Sequence, residues 1–198
     1  RSLLAGTKTQ TRRILKPQPT ALDDTWGPAP HVGRSNGKAA VQCNGLATVI
    51  TCPYGQPGDQ LWVRETWLEC GLSLCGITPP TAYYRADHQG ADYFDPTTNP
   101  PTRRKWQPSI HMPRWASRIT LEVTAVSVER LQDISEWDAA AEGVLYSTEH
   151  MGHWSGTGAR WQMTAREAYR DLWESINGAG SWDANPWVWV IEFKVVKP

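Results

Sequence analysis

The sequence predicts a mainly β protein with additional helix (α+β), organised as a small β-barrel with two or three peripheral helices and long loop insertions. Three observations lead to this prediction. Several segments alternate apolar and polar residues as strands do, two others begin with a helix-capping pattern, and stretches rich in Pro, Gly, Asn and Thr separate them. A chain of 198 residues fits one domain over residues 1–198, with insertions at about 16–56, 88–109 and 146–160.

The strand predictions rest on apolar alternation and on β-branched residues. They cover residues 9–15, 60–67, 82–86, 117–130 and 187–196. In the longest segment the alternation slips by one residue at Thr124-Ala125, which is typical of a β-bulge. The last strand should begin fully buried and end half exposed, because Val188 and Val190 give way to charged residues on its second face. Within residues 16–58 we expect at most one short strand, near residues 47–51.

Two helices are predicted from their amino-terminal signals. Ser135-Glu-Trp-Asp138 matches the pattern in which a serine and an acidic residue three positions later cap each other, and Gly143 should end that helix. Thr164-Ala-Arg-Glu167 repeats the pattern before apolar residues at helical spacing, and Asn177-Gly178 should end the second helix. The residues before Gly6 are typical of the last turn of a further helix, and since the chain opens on Arg1 we expect its native amino terminus to be missing.

Charge and composition limit the functions that the chain can have. The 20 Lys and Arg residues balance 20 Asp and Glu residues, so the sequence lacks the basic surface of a duplex-coating protein, and any contact with nucleic acid must be local. Basic residues cluster at 8–16, 103–105 and 114–118, where solvated loops and strand faces are the alternative interpretation. The 12 tryptophans are expected mainly in the core. Those beside polar or Gly-rich sequence, Trp106, Trp115 and Trp154, are candidates for exposed stacking surfaces.

Several classes of site receive no support from the sequence. It contains no Gly-rich phosphate loop, no HExxH helix and no GxSxG motif. Cys43, Cys52, Cys70 and Cys75 have irregular spacing, and the five histidines are scattered, so we expect neither a metal site nor a cofactor. No long apolar run and no leader pattern is present, and a cytoplasmic location with no membrane partner is therefore expected.

A family resemblance is carried by four motifs. They are Leu4-Ala-Gly-Thr-Lys-Thr-Gln-Thr-Arg-Arg13, Pro57-Gly-Asp-Gln-Leu-Trp-Val-Arg-Glu65, the strand at 119–130 with its following helix, and Val190-Ile-Glu-Phe193. Together they resemble an ASCH domain of the PUA-like superfamily, and the whole chain looks most like the larger members encoded by phages and prophages. The resemblance implies a PUA-like barrel that binds RNA or a modified base.

The same resemblance implies candidate site residues. Some small ASCH proteins are amidohydrolases that deacetylate N4-acetylcytidine with a lysine, a threonine and a glutamate, and Lys8, Thr11 and Glu142 fall on the matching positions. Catalysis would need a base beside the threonine hydroxyl, and a Lys8–Glu142 salt bridge that only pins the helix to the barrel is the alternative. Residues expected to contact the base or a single strand are Arg12, Arg13, Arg64, Glu65, Trp106, Arg114 and Trp115. A bond to a nearby arginine or to backbone donors is the role favoured for Glu65 over a ligand contact.

Three hypotheses about function follow. The first is that the mouth of the barrel binds a nucleobase, a nucleoside or single-stranded nucleic acid, with RNA favoured over DNA. The second is that the same pocket hydrolyses an amide on a base, although other family members are ribonucleases and the reaction is not fixed by the match. The third is a phage assembly or interaction protein without catalytic activity.

Overall fold

The computed structural model describes residues 2–18, 21–22, 37–43, 46–70, 81–88, 92–95, 102–158 and 160–196. The fold is mainly β with helices, as the sequence predicts, and its largest sheet curls in the manner of a half-barrel. The chain divides into two compact units, which are described separately. One consists of Ser2–Leu61 with Leu121–Val195, and the other is built on Trp62–Thr120.

The first unit contains a sheet of strand order β1-β13-β10-β5. Its strands are β1 (Gln10–Ile14), β5 (Gln60–Trp62), β10 (Thr120–Arg130) and β13 (Trp187–Val196). Antiparallel pairing sets Arg12 opposite Val190 and Arg13 opposite Trp189. Directly opposed residues share a face of the sheet, so Arg12 and Arg13 lie on opposite faces.

Two α-helices cover one face of this sheet, and both predicted helices are confirmed. Helix α1 (Glu136–Ala141) begins where the Ser135 side chain accepts a hydrogen bond from the Asp138 backbone N–H. Helix α2 (Ala165–Asn177) begins with a complete capping box between Thr164 and Glu167. Apolar residues of both helices pack with Val188 and Val190 of β13 in one buried core, which fixes the helices against the end of β1.

The longest strands agree with the sequence predictions. In β10, Ala125 and Val126 are both buried, so the inward face changes parity where the alternation slips. The first residues of β13, Trp187–Ile191, are all buried, and its last residues are exposed or half-buried, as expected for a strand that leaves the core. The predicted strand at 60–67 is divided into β5 and β6 (Trp67–Cys70). The intervening Glu65 backbone N–H donates to the Met112 Sδ atom at 3.1 Å instead of to a strand neighbour.

The predicted insertions contain more strand than expected. Within 16–56 lie β2 (Ala21–Leu22), β3 (Lys38–Cys43) and β4 (Leu46–Thr51), which pair in that order. Within 146–160 the hairpin is formed by β11 (Leu145–Ser147) and β12 (His153–Ser155). Within 88–109 the strands are β8 (Tyr93–Asp95) and β9 (Thr102–Arg104). The physical reason is that backbone pairing across a hairpin stabilises short strands whose own apolar alternation is weak.

The second unit is held by a small aromatic core and an ion-pair network. Strand β6 pairs with β7 (Thr81–Tyr84), and Trp67, Met112 and Ala116 form its buried centre. Short 3₁₀ helices occur at Ser109–His111 and Arg114–Ala116, and a further one follows β10 in the first unit at Leu131–Asp133.

Candidate ligand-binding site

A cavity of about 220 Å³ lies between β1 and helix α2 of the first unit. Its polar lining residues are Lys8, Thr11, Arg12, Arg13, Glu142 and Asn177. Its other walls are Ile14, Tyr169, Leu172, Trp173 and Ile176. The structure therefore brings Lys8, Thr11 and Glu142, the three predicted catalytic residues, to one cavity.

Lys8 reaches the cavity because the chain before β1 is a turn. Residues 2–6 form that turn, Gly6 has a φ of 72°, and residues 7–9 precede the strand. Lys8 lies outside the strand, and its Nζ atom binds the carboxylate that Arg12 also binds. Thr11 precedes Arg12 in β1, so its side chain starts on the opposite face of the sheet, although Thr11 also lines the cavity. Gly143, with a φ of 88°, packs closely here: a Cβ on it would lie 2.9 Å from the Lys8 Cβ atom. The glycine that ends α1 therefore also allows Lys8 and Glu142 to meet.

The Glu142 carboxylate binds two cations. Its Oε2 atom lies 3.1 Å from the Lys8 Nζ atom, and its Oε1 atom lies 3.2 Å from the Arg12 Nη1 atom. Lys8 also donates to the Glu142 carbonyl oxygen at 2.5 Å. Since the Glu142 and Arg12 side chains are 3% and 0% exposed, this is a buried ion pair with a half-buried third member. The salt bridge considered from the sequence is present, and it borders the cavity directly.

Arg12 is the centre of a wider network that joins β1 to β10 and to α1. It donates to the Gln10 Oε1 atom at 2.6 Å and to the Glu129 Oε2 atom at 3.2 Å, and its Nη2 atom lies 3.8 Å from the Asp138 Oδ2 atom. Burial alone would raise the pKa of Asp138, but hydrogen bonds from Ser135 and Gln10 and the charge of Arg12 hold that pKa below its ordinary value. Arg12 thus borders the cavity with its guanidinium already bound by carboxylates.

Tyr169 is a buried phenol at this site. Burial and the charge of Glu142 raise the pKa of the Tyr169 phenol far above its ordinary value. The phenol is therefore neutral at pH 7. Tyr169 and Glu142 both line the cavity.

Trp173 forms part of the apolar wall and has an unsatisfied donor. Its side chain is buried, and its indole Nε1 atom has no hydrogen-bond partner in the described part of the chain. A buried N–H without an acceptor costs free energy unless a ligand or water supplies one. The Thr11 hydroxyl likewise has no partner among the described residues. Asn177 is held at the cavity by a hydrogen bond of 3.1 Å from its Nδ2 atom to the Trp173 carbonyl oxygen.

The remaining predicted base-binding residues belong to the second unit. Arg64 stacks on Trp62, with 4.6 Å from its guanidinium carbon to the ring centroid. Trp115 is 50% exposed and contacts Trp67 edge-on. Arg114 donates to the Thr120 hydroxyl at 3.4 Å, and the Trp106 ring lies 5.6 Å from that of His88.

Glu65, also in the second unit, is held by an arginine. Arg118 donates to both of its carboxylate oxygens at 2.9 Å, and the hydrogen bonds to Glu65 raise the pKa of Arg118. Arg118 also pairs with Asp87 at 2.7 Å and covers the Tyr84 ring at 3.8 Å. Of the two kinds of partner favoured from the sequence, an arginine or backbone donors, the arginine is observed. A ligand at Glu65 would have to compete with Arg118.

The sequence prediction did not include Tyr169, Trp173 or Asn177 among the site residues. A partial signal exists for Tyr169 and Trp173, because positions 169, 173 and 176 recur at helical spacing and share one face of α2. A tyrosine and a tryptophan within an apolar stripe carry polar atoms that need partners, but the same spacing also occurs in a stripe that only packs in the core.

No group of residues suited to hold a metal ion is found in the described part of the chain, and Cys75 lies outside it. Cys52 is buried, and burial raises the pKa of its thiol. Among the described helices, none has the length and apolar character needed to cross a bilayer. No family model matches the sequence, and comparison with curated proteins and with solved structures finds no significant match.

Proposed function

We propose that the chain binds a nucleobase or nucleoside in the cavity between β1 and α2, and that the cavity belongs to a PUA-like barrel of the ASCH type. The observation that carries this proposal is the composition of the cavity wall. One side is apolar and includes a buried indole N–H without a partner among the described residues, and the other presents donors and acceptors from Lys8, Thr11 and Glu142. A nucleobase needs both an apolar wall and a polar wall, because its ring is apolar and its edges carry alternating donors and acceptors.

The size of the cavity favours a small ligand. Pockets for drug-sized molecules span about 300–1,000 Å³, so the 220 Å³ available here fits one base or nucleoside. Arg13 is exposed at the rim, where a cation attracts the phosphate of a nucleotide. The motif residues 4–13 and the end of α1, on which the ASCH resemblance rests, are the same segments that border the cavity, and this favours RNA or a modified base as the ligand.

Binding is tested by calorimetric titration with cytidine and N4-acetylcytidine. The wild type should bind a nucleoside, and Trp173→Phe should weaken binding about 5- to 10-fold, because it removes one hydrogen-bond donor and keeps a large apolar ring. Trp182→Phe is the matched control, since Trp182 lies in the same core and not in the cavity wall. Equal effects of the two substitutions, or no nucleoside binding by the wild type, would refute the proposal.

Amide hydrolysis in the same cavity is the second candidate, and the presence of Lys8, Thr11 and Glu142 in the lining of the cavity favours it. The Thr11 Oγ1 atom would attack the acyl carbon and pass its proton to Glu142 or Lys8, neither of which is its hydrogen-bond partner in the structure. The C–N bond would then break, with that proton delivered to the exocyclic nitrogen of the nucleobase. Water would then release acetate from the acyl-threonine. Both Glu142 oxygens bind cations. The Lys8–Glu142 ion pair must therefore open before either residue can accept the threonine proton.

Hydrolysis is tested by acetate release from N4-acetylcytidine. If the reaction occurs, Thr11→Ala should abolish it, while Thr9→Ala, at an exposed threonine just outside the strand, should leave it intact. A wild-type protein that binds the nucleoside and releases no acetate would limit the cavity to binding. Recovery of a stable protein partner without any nucleoside binding would favour the assembly hypothesis instead.

A further inference from the structure

We infer that the first unit holds a second nucleotide subsite beside the nucleoside cavity, so that the natural ligand is single-stranded nucleic acid of at least two nucleotides. A second cavity of about 440 Å³ lies at the carboxyl end of β1. Its walls include Ile14, Lys16, Ile50, Pro53, Tyr54 and Trp189. This inference deepens the proposed function and rests on it.

The two cavities are neighbours on either side of the end of β1. Ile14 lines both of them. Arg13 lines the first cavity, and in the sheet it stands directly opposite Trp189, which lines the second. Because opposed residues share a face of the sheet, the exposed Arg13 side chain starts on the same face as Trp189 and therefore on the side of the second cavity. The same residue borders the first cavity. A chain running from one cavity to the other would pass Arg13.

The composition of the second cavity suits a nucleotide. Tyr54 is 39% exposed, so its ring is accessible to a stacked base. Lys16 is exposed, and none of the described residues that line the cavity is acidic. In the described part of the chain no carboxylate pairs with Lys16 or Arg13. An apolar cavity bordered by Lys16, with Arg13 opposite its Trp189 wall, is complementary to a base with its phosphodiester, and Arg13 is placed to contact the phosphate between the two nucleotides.

The experiment compares cytidine, cytidine 5′-monophosphate and the dinucleotide CpC in calorimetric titrations. Stacking of a second base predicts that CpC binds about 5- to 100-fold more tightly than cytidine. Cytidine monophosphate should show only the part of this gain that a phosphate provides. A parallel titration with the deoxy dinucleotide tests whether the 2′-hydroxyl contributes.

Variants separate the subsite from the first cavity. Tyr54→Ala should remove most of the gain for CpC and leave cytidine affinity unchanged, and Lys16→Gln should weaken CpC binding and its salt dependence. Tyr146→Ala and Lys105→Gln, substitutions of exposed residues outside both cavities, are the matched controls.

The possible outcomes are distinct for the two proposals. If cytidine binds but CpC binds no more tightly, or if Tyr54→Ala weakens both equally, the second subsite is refuted and the first stands. If cytidine does not bind but CpC binds in a way that depends on Tyr54, the subsite is supported and the nucleoside proposal fails. If neither ligand binds, both proposals are refuted.

Discussion

Replacing Glu142 by Gln should strongly destabilise the first unit, because Glu142 balances two cations in a poorly solvated place. The substitution keeps the size of the side chain and removes its charge. Arg12, which is fully buried, then loses one of its carboxylate partners, and Lys8 loses its charge partner. The amide can still accept one hydrogen bond, but its NH₂ group must face the other cation.

The magnitude follows from the burial of each partner. Removing one member of a buried ion pair costs about 3–5 kcal/mol, because the other charge is left uncompensated. Arg12 keeps Gln10, Glu129 and Asp138 as partners, and this places the expected loss near the low end, at about 3 kcal/mol. Lys8 is 23% exposed and can turn toward water, so Lys8→Met should cost only about 1 kcal/mol.

Urea unfolding followed by far-ultraviolet circular dichroism measures these losses, because both described α-helices lie in the first unit. Glu174→Gln is the matched control. Glu174 faces Arg170 across 3.9 Å with both side chains partly exposed, and its loss should change the unfolding free energy by less than about 0.5 kcal/mol. A Glu142→Gln protein as stable as this control would show that the buried network does not anchor β1 to α1.

Three further predictions concern the same unit. Gly156→Ala should destabilise the fold by more than about 3 kcal/mol in urea melts, because a Cβ at this position would overlap the Ala168 carbonyl oxygen and would lie 2.7 Å from the Leu172 Cβ atom. A Gly156→Ala protein of wild-type stability would contradict the close packing of β12 on α2. Asp138→Asn should lower stability at pH 7, and its difference from the wild type should begin to shrink as the pH falls below about 4. The reason is that a carboxyl with a lowered pKa stabilises the fold above its unfolded-state pKa and loses that contribution only as the pH drops further, through its folded-state pKa. A difference that grows toward acid would reverse the sign of this argument. Thr164→Ala removes the cap of α2 and should cost about 1 kcal/mol in thermal or urea unfolding; an unchanged midpoint would show that the capping box contributes nothing to stability.

The parts of the fold that the sequence predicted are those with local causes. The caps at Ser135 and Thr164 depend on side chains within three residues of the helix start, so their geometry can be predicted from sequence alone. The long strand β13 carries a continuous apolar face that only a buried strand explains. In both cases the residues that determine the structure lie within the element itself.

The elements that the sequence prediction missed have two kinds of cause. Some depend on partners that are distant in the chain, and others on a turn signal that the apolar pattern hid. Strands β3 and β4 are separated by Asn44-Gly45, the dipeptide most typical of two-residue hairpins, so this hairpin had a sequence signal that the apolar pattern hid. The break in the predicted strand after Trp62 had no sequence signal, because it depends on the distant Met112, whose Sδ atom accepts a hydrogen bond from the Glu65 N–H. No local pattern contains that contact.

The candidate site shows the same division. Lys8, Thr11 and Glu142 were predicted from motif positions, and the structure gives the reason that Lys8 and Glu142, 134 positions apart, meet: the Gly6 turn frees Lys8, and Gly143 leaves room beside it. Tyr169 and the Trp173 N–H could not be assigned to the cavity from the sequence, because helical spacing alone does not distinguish a core stripe from the wall of a site.

Because Glu142 is both an anchor of the fold and a wall of the cavity, variants at this residue cannot by themselves separate structure from chemistry. A loss of activity in Glu142→Gln would arise from an unfolded site as readily as from a missing carboxylate. Thr11 and Trp173 offer a cleaner test, since neither the Thr11 hydroxyl nor the Trp173 N–H has a partner among the described residues, and removing either atom breaks no internal hydrogen bond there. A large functional loss at these two positions with an unchanged unfolding free energy would therefore have to come from the ligand.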